Sequence, residues 1–504
     1  MWQDPRIRAI FGLAVLLRLL ILGYLALYPG GISSGSDSME YNELAQNLLN
    51  YHVFARGVMP ADGSGPTALS PEVPVRGQET SLILEPYRTP VYPAFLALIY
   101  GVGGGPFLAV VVQSILSLLL IWLSVLLAAR LFRPEVGWRV ALLATLEPLS
   151  LIYSNRIMSD FLFAVLAAGA VYFFLPLLTD QEDQYEPLPY AALGGLLLGL
   201  AMLARPAGVY FPVVLLFLWV VRIMVRGRQP AAEWSGTGKQ PGIISPANNR
   251  FFAGFKYLGV FIGVTFLAAS PWVIRNYAIF HRAFISTSAE CNLLIQGASP
   301  IVAGLRDPTG RTSTWQIREE LERELIAQMA REGMNTASEP ERAAYFGKWS
   351  LEVFKAHPAL FMRYYLKGAV SLFFPDAPGF YVLLDFRKGQ SGWANLSRQG
   401  IQVALASYFG KYWPLWVAAA LPLILYDLGI YLLALWGILR LWRTRSFFLL
   451  LMLIAIMGYW VAVSSLGGIP RYRLPLMPYL IALAAWGWFK AREPFPVISR
   501  SAGE

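Results

Sequence analysis

Apolar runs of about 20 residues recur along this chain, and each is long enough to cross a hydrocarbon core about 30 Å thick as a helix. The first extends from about Ile10 to Tyr28. Others cover Pro106 to Leu131, Val136 to Ile157, Asp160 to Leu178, Tyr190 to Ala204, Val209 to Val225, Tyr257 to Tyr277, Trp413 to Leu441, Phe447 to Ser465 and Leu474 to Phe489. Lipid offers the backbone no hydrogen-bond partners, so each run must satisfy its own peptide groups as a helix. Composition agrees, with 56% apolar and only 14% charged residues and a mean hydropathy of +0.50. The expected fold class is an all-α polytopic membrane protein of the cell membrane.

The formal charge of +10 does not mark a nucleic-acid binder, because the lysines and arginines fall mostly in short connections between apolar runs. It reads as topology, with basic loops on the cytoplasmic side. Arg6 and Arg8 place the N-terminus inside, the first run is a retained signal anchor, and the connection 29–105 lies outside. The segment Thr89 to Tyr100 is too short to cross and carries Pro90 and Pro93, so it is expected as a juxtamembrane helix, with a second from Tyr41 to Asn50. Arg130, Arg133 and Arg139 then fall inside, as do Arg222, Arg226, Arg228 and Lys239, and later Arg440, Arg443 and Arg445.

These assignments divide the chain into an N-terminal transmembrane module (1–279), an extracytoplasmic cap (280–412) with an amphipathic helix from Thr314 to Arg331, and a C-terminal transmembrane module and tail (413–504). The connection from Arg228 to Arg250, rich in Gly, Pro and Asn, is expected as a flexible loop. The single cysteine, Cys291, excludes an internal disulfide.

Five basic residues break the charge rule by standing at outer helix ends: Arg88, Arg205, Arg275, Arg471 and Arg473. Arginine offers a planar fork of donors matched to phosphate oxygens, and several on one face would hold an anionic head group. Each alone also fits a snorkelling interface residue. Asp37 and Asp160 face the same side, at the starts of the Tyr41 helix and of a later span. Helix capping accounts for them equally well, Asp37 as the N-cap with Glu40 as its reciprocal acid. Arg18, Glu147 and Asp427 lie inside runs, where an unpaired charge costs at least about 2.5 kcal/mol. Arg18 is expected to pair with Glu147 or Asp427. His357, before Pro358, is expected to be structural.

In their order, these residues resemble the GT-C superfamily of lipid-dependent glycosyltransferases, which includes the protein O-mannosyltransferases and the lipid A aminoarabinose transferases. The marks are Asp37 with Tyr41; Arg88, Pro90, Tyr92 and Pro93; Asp160; Gly195, Gly199, Leu200, Arg205 and Pro206; Pro271, Trp272, Arg275, Asn276 and Tyr277; and Arg471, Tyr472, Arg473, Pro475 and Pro478. The resemblance spans nearly the whole chain and implies a GT-C helix bundle of about 10 to 13 spans with juxtamembrane helices and a small extracytoplasmic helical region.

It implies a polyprenyl-phosphate sugar as donor, a lipid, glycan or protein hydroxyl as acceptor, membrane lipids as surroundings and no nucleic-acid partner. Asp37 maps to the family's essential first-loop acid and Asp160 to its second acid. Arg88 stands where the aminoarabinose enzymes have a phosphate-binding lysine, and Ser38 after Asp37 departs from the paired acids of the mannosyltransferases.

A phosphate leaves as a stable anion, so one carboxylate base and cationic stabilisation suffice for an inverting transfer. Asp37 is the expected base. Arg88, Arg205, Arg275, Arg471 and Arg473 are the expected phosphate ligands, with Glu40, Tyr41 and Tyr92 as candidate acceptor or sugar contacts. Asp160 either orients the acceptor or joins Asp37 on a Mg or Mn ion that the phosphate also holds. The rival reading is a transporter or flippase of lipid-linked sugars, motivated by the charges within the membrane. An acyltransferase or polymerase would want a positioned histidine base, and none of the three histidines stands near these acids.

Overall fold

The computed structural model describes residues 1–33, 35–60, 71–74, 80–179, 187–227, 246–307, 312–376, 379 and 413–489. Most of the expected loop at 228–250, the later part of the 280–412 segment and the tail after 489 lie outside the described residues.

Seven described helices are long and apolar enough to cross a membrane: Pro5–Leu27, Pro106–Leu131, Ser159–Leu178, Pro206–Val225, Gly254–Phe280, Ala420–Arg443 and Phe447–Ser464. The chain is a multi-pass, all-α membrane protein. Ser159–Leu178 is buried on nearly every side, whereas Pro5–Leu27 leaves Leu16, Leu19, Leu20 and Leu27 more than half exposed. Helices apolar all round suit both places, since lipid and protein interior are equally apolar.

Three expected spans take other forms. The Val136 to Ile157 run is two helices, Gly137–Thr145 and Pro148–Tyr153, parted where the buried Glu147 carboxylate accepts from the backbone N–H of Leu149 at 3.0 Å and Ser150 at 2.5 Å. Pro148 has no N–H and so is tolerated only at a helix start. Pro187–Ala204 and Met477–Trp488 are short, the latter preceded by a 3-10 turn, Pro470–Leu476, rich in proline.

Glycines let these helices approach closely. A Cβ on Gly195 would collide with the Phe261 carbonyl, and Thr265 Oγ1 donates to Gly195 O at 3.1 Å. Small residues at such seams are what permits backbone contact between helices in lipid.

The charges within the bilayer pair differently from the sequence expectation. Asp427 meets Arg473 at 2.6 Å, not Arg18, and Glu147 serves as the helix cap just described. Arg18 instead donates to Ser117 Oγ at 2.6 Å and to Ala14 O at 3.2 Å. The Ser117 hydroxyl on a neighbouring helix and the Ala14 carbonyl of its own helix engage the guanidinium, whose Nη2 is buried with no hydrogen-bond partner among the described residues.

After the first span, helix Ser36–Tyr51 packs on Val91–Gly101, the two expected juxtamembrane helices. Between them lies an element that apolar periodicity does not reveal, a three-stranded antiparallel sheet of β1 (Ala55–Pro60), β2 (Glu72–Pro74) and β3 (Thr80–Leu84) in the order β1-β3-β2. Ala55 pairs with Leu84, which brings Arg56 to Glu85 at 2.9 Å. Helices Ser299–Arg306, Thr314–Arg331, Glu339–Ala356 and Pro358–Ser371 follow, with a core of Leu294, Ile301, Leu321, Leu325 and Phe346. His357 joins the last two.

Candidate active site

Gly35 adopts φ +103°, a left-handed conformation that only glycine takes without strain, and it directs the chain into helix Ser36–Tyr51. Asp37 therefore sits in the first turn and is not the N-cap; that position is Gly35, so the capping account of Asp37 with Glu40 is set aside. A carboxylate there still gains from the helix dipole. Arg88 Nη2 donates to Asp37 Oδ1 at 2.7 Å, and Arg471 Nη2 donates to Oδ2 at 2.6 Å. Residues 434 apart in sequence thus meet at one carboxylate.

Arg88 is held from several directions. Its Nε donates to Glu40 Oε2 at 2.8 Å, and its guanidinium lies over the Tyr41 ring at 4.9 Å and the Tyr87 ring at 5.0 Å. Its own N–H donates to Glu85 Oε1 at 2.9 Å. Arg471 is less committed: its Nη1 meets the Met158 sulfur at 3.7 Å, and its Nε is buried with no hydrogen-bond partner among the described residues. Burial works against a charge on Asp37, but Arg471 and Arg88 outweigh it and hold the carboxyl well below its ordinary range.

Asp160 occupies the first turn of helix Ser159–Leu178 and forms an ion pair with Arg205. Arg205 also lies over the Tyr472 ring at 5.0 Å, and Arg471 packs on the same ring at 5.1 Å. The Tyr41 hydroxyl meets Ser159 Oγ at 2.8 Å, linking the two carboxylate-bearing helices. Tyr92 is fully buried and donates to Gln113 Oε1 at 2.9 Å, and Gln113 in turn donates to the Arg156 carbonyl at 2.7 Å.

Two of the five candidate arginines lie elsewhere. Arg275 donates to the carbonyls of Glu85 at 3.1 Å and Phe54 at 3.2 Å and to Asn276 Oδ1 at 2.8 Å, bracing the sheet connection. Arg473, besides Asp427, donates to the carbonyls of Leu372 at 3.0 Å and Phe374 at 2.8 Å. Their position at helix ends has a structural cause.

Beside Asp37 opens a cavity of about 340 Å³, lined by Asp37, Tyr153, Arg156, Met158, Asp376 and Arg471 with the backbone near Gly35. Its size is at the lower end of small-molecule sites, about 300–1,000 Å³. Arg156, Tyr153, Asp376 and the Glu85 support carry no sequence signal of their own. Arg156 is the nearest miss, since it stands four residues before Asp160 in the run that introduces that helix.

The residues do not fit a Mg or Mn cage. Both Asp37 oxygens accept from arginines, Asp160 is paired with Arg205, and no cluster of three or more His, Cys, Asp or Glu occurs among the described residues. A cation here would first have to displace a guanidinium.

Residues 87–232 match the family model described as dolichyl-phosphate-mannose-protein mannosyltransferase. No curated protein matches the chain in sequence. Among solved structures, the archaeal oligosaccharyltransferase AglB from Archaeoglobus fulgidus, in complex with an inhibitory peptide and a dolichol-phosphate, aligns at 15% identity with a TM-score of 0.47, over 94% of this chain and 50% of that one. ArnT from Cupriavidus metallidurans, bound to undecaprenyl phosphate, aligns at 14% identity with a TM-score of 0.35, over 96% and 78% of the two chains. This chain spans about half the length of the oligosaccharyltransferase. The stretch 87–232, which carries Arg88, Tyr92, Asp160 and Arg205, is thus similar to the dolichyl-phosphate-mannose-protein mannosyltransferase family.

Proposed function

We propose that this protein is an inverting membrane glycosyltransferase that moves a sugar from a polyprenyl-phosphate donor to an acceptor hydroxyl on the extracytoplasmic face. The observation that carries the reading is the Asp37 carboxylate held between Arg88 and Arg471 at the edge of a sugar-sized cavity. The name of the matching family supports a lipid-phosphate donor.

In the resting site two guanidiniums make Asp37 a weak base. A donor phosphate entering beside it offers Arg88 and Arg471 a stronger acceptor, and Arg471 has a free Nε with which to begin the exchange. As their N–H groups turn to phosphate oxygens, the Asp37 carboxylate recovers basicity. It then takes the acceptor hydroxyl proton as the hydroxyl oxygen attacks the anomeric carbon, and the bond from that carbon to the phosphate oxygen breaks with its electron pair going to the phosphate. One displacement inverts the anomeric centre. Asp160 holds Arg205 ready as a further phosphate ligand, while Arg275 and Arg473 support the walls.

The division into modules 1–279, 280–412 and 413–504 belongs to this proposal, each module contributing charge to the cavity: Asp37 and Arg156 from the first, Asp376 from the second and Arg471 from the third. The transporter reading loses its motive, because Asp427 and Glu147 are engaged in structural roles.

The test is turnover by the purified protein in lipid nanodiscs, supplied with polyprenyl-phosphate sugars and candidate acceptors, followed as release of lipid phosphate. Asp37→Asn is expected to lower turnover by about 10²- to 10⁴-fold, the usual contribution of a positioned base. Undiminished turnover in that variant removes Asp37 from the mechanism, and lipid translocation without sugar transfer restores the transporter.

A further inference from the structure

Asp376 is a charged cavity residue to which the phosphate chemistry gives no role. It is buried, yet its hydrogen-bond partners among the described residues are neutral: Tyr153 Oη donates to Oδ2 at 2.5 Å, and the Gly379 N–H donates to Oδ1 at 3.1 Å. A buried carboxylate is costly unless its lone pairs are satisfied, and two donors leave acceptor capacity toward the cavity.

The surroundings are built to hold it there. Arg473, anchored on Asp427, grips the carbonyls of Leu372 and Phe374, and the Tyr431 hydroxyl donates to Phe373 O at 2.8 Å. Three successive carbonyls just before Asp376 are thereby fixed to the membrane bundle. At Gly379 a Cβ would collide with Asp376 Oδ2 and stand 3.0 Å from the Tyr153 hydroxyl, so any larger residue would push this pair apart. Such restraint is what a binding group needs to discriminate by geometry.

The cavity thus carries a phosphate-matched cation, Arg471, and a rigid neutral-donor carboxylate pair. A sugar attached to a phosphate presents that pattern: an anion at one end and a ring of hydroxyl donors at the other. We infer that Asp376 and Tyr153 read the hydroxyls of the lipid-borne sugar, with Arg473 and Tyr431 as positioning residues. This rests on the lipid-phosphate reading above.

Binding without an acceptor separates a donor sugar from an acceptor sugar. Tryptophan fluorescence of the protein in nanodiscs would be titrated with undecaprenyl phosphate alone and with its mannose, glucose, galactose and arabinose esters. The unaltered chain is expected to prefer at least one sugar ester over the bare lipid phosphate by about tenfold or more. Asp376→Asn should remove about tenfold of that preference, and Tyr431→Phe a few-fold, with affinity for undecaprenyl phosphate unchanged in both. That unchanged affinity also reports that the variants fold.

Equal losses for bare and sugar-bearing lipid, an unaltered preference, no sugar preference in the original chain, or an effect seen only when an acceptor is added each overturn the inference while leaving the lipid-phosphate reading standing. Failure of the original chain to bind undecaprenyl phosphate overturns both.

Discussion

Asp37 sits under two opposing influences, burial that would raise its pKa and the charges of Arg471 and Arg88 that more than reverse it. Because the folded value lies below the ordinary carboxylate value near 3.9, the carboxylate is ionised throughout the neutral range. Its contribution to stability is present above that unfolded value and is lost as pH falls through the folded one. The free-enzyme profile of kcat/KM should therefore show no acid limb from Asp37 above about pH 4. In Arg471→Gln the larger of the two opposing charges is gone while Arg88 stays, and the acid limb should move to higher pH than in the unaltered chain. An unmoved limb would mean that Arg471 does not set this base.

The residues of this circuit were legible in the sequence wherever a charge contradicted topology, as with Arg88, Arg205 and Arg471. Arg275 and Arg473 gave the same signal for another reason, since an arginine that grips buried carbonyls also has to stand at a helix end. Asp376 and Tyr153 were not legible, because neither breaks a pattern and their partnership depends on a chain path spanning 223 residues.

Among the elements, length and hydropathy located the long helices, since a run of apolar residues in lipid has no other fold open to it. The same reasoning overextended the Val136 to Ile157 run, where Glu147 and Pro148 start a second helix, and it passed over β1 to β3, whose strands are short and whose register depends on contacts outside each strand. Helix Pro187–Ala204 shows what an element contributes to the site. It lies against the span Gly254–Phe280 through Gly195 and Gly199, and Arg205 follows directly at its end. Gly195→Val would drive a side chain into the Phe261 carbonyl, an overpacking that typically costs about 1–3 kcal/mol. The expected result is a lower thermal unfolding midpoint together with weaker undecaprenyl phosphate binding, as Arg205 leaves its place beside Asp160. Gly259→Ala, with open space around its Cβ, is the matched control and should change neither. Equal behaviour of the two variants would show that this seam does not position Arg205.

At the scale of the whole molecule, the proposed reaction needs one sidedness: the cavity and the helices of residues 288–371 outside, and the connection at Thr444 inside with Arg440, Arg443 and Arg445. The chain is suited to a direct test, because it has a single cysteine. Cys291 is half-buried, and burial, reinforced by Glu339 and Glu290, pushes its thiol up to about 12. Maleimides react with thiolate, so the unaltered protein should label little in intact cells. Glu332 and Thr444 are both exposed and stand on elements that the proposed topology puts on opposite faces. With a membrane-impermeant maleimide, Glu332→Cys should label in intact cells, and Thr444→Cys only after permeabilisation. The reverse pattern would put the Asp37 cavity on the cytoplasmic side. Basic residues would then crowd the outer face against the charge rule.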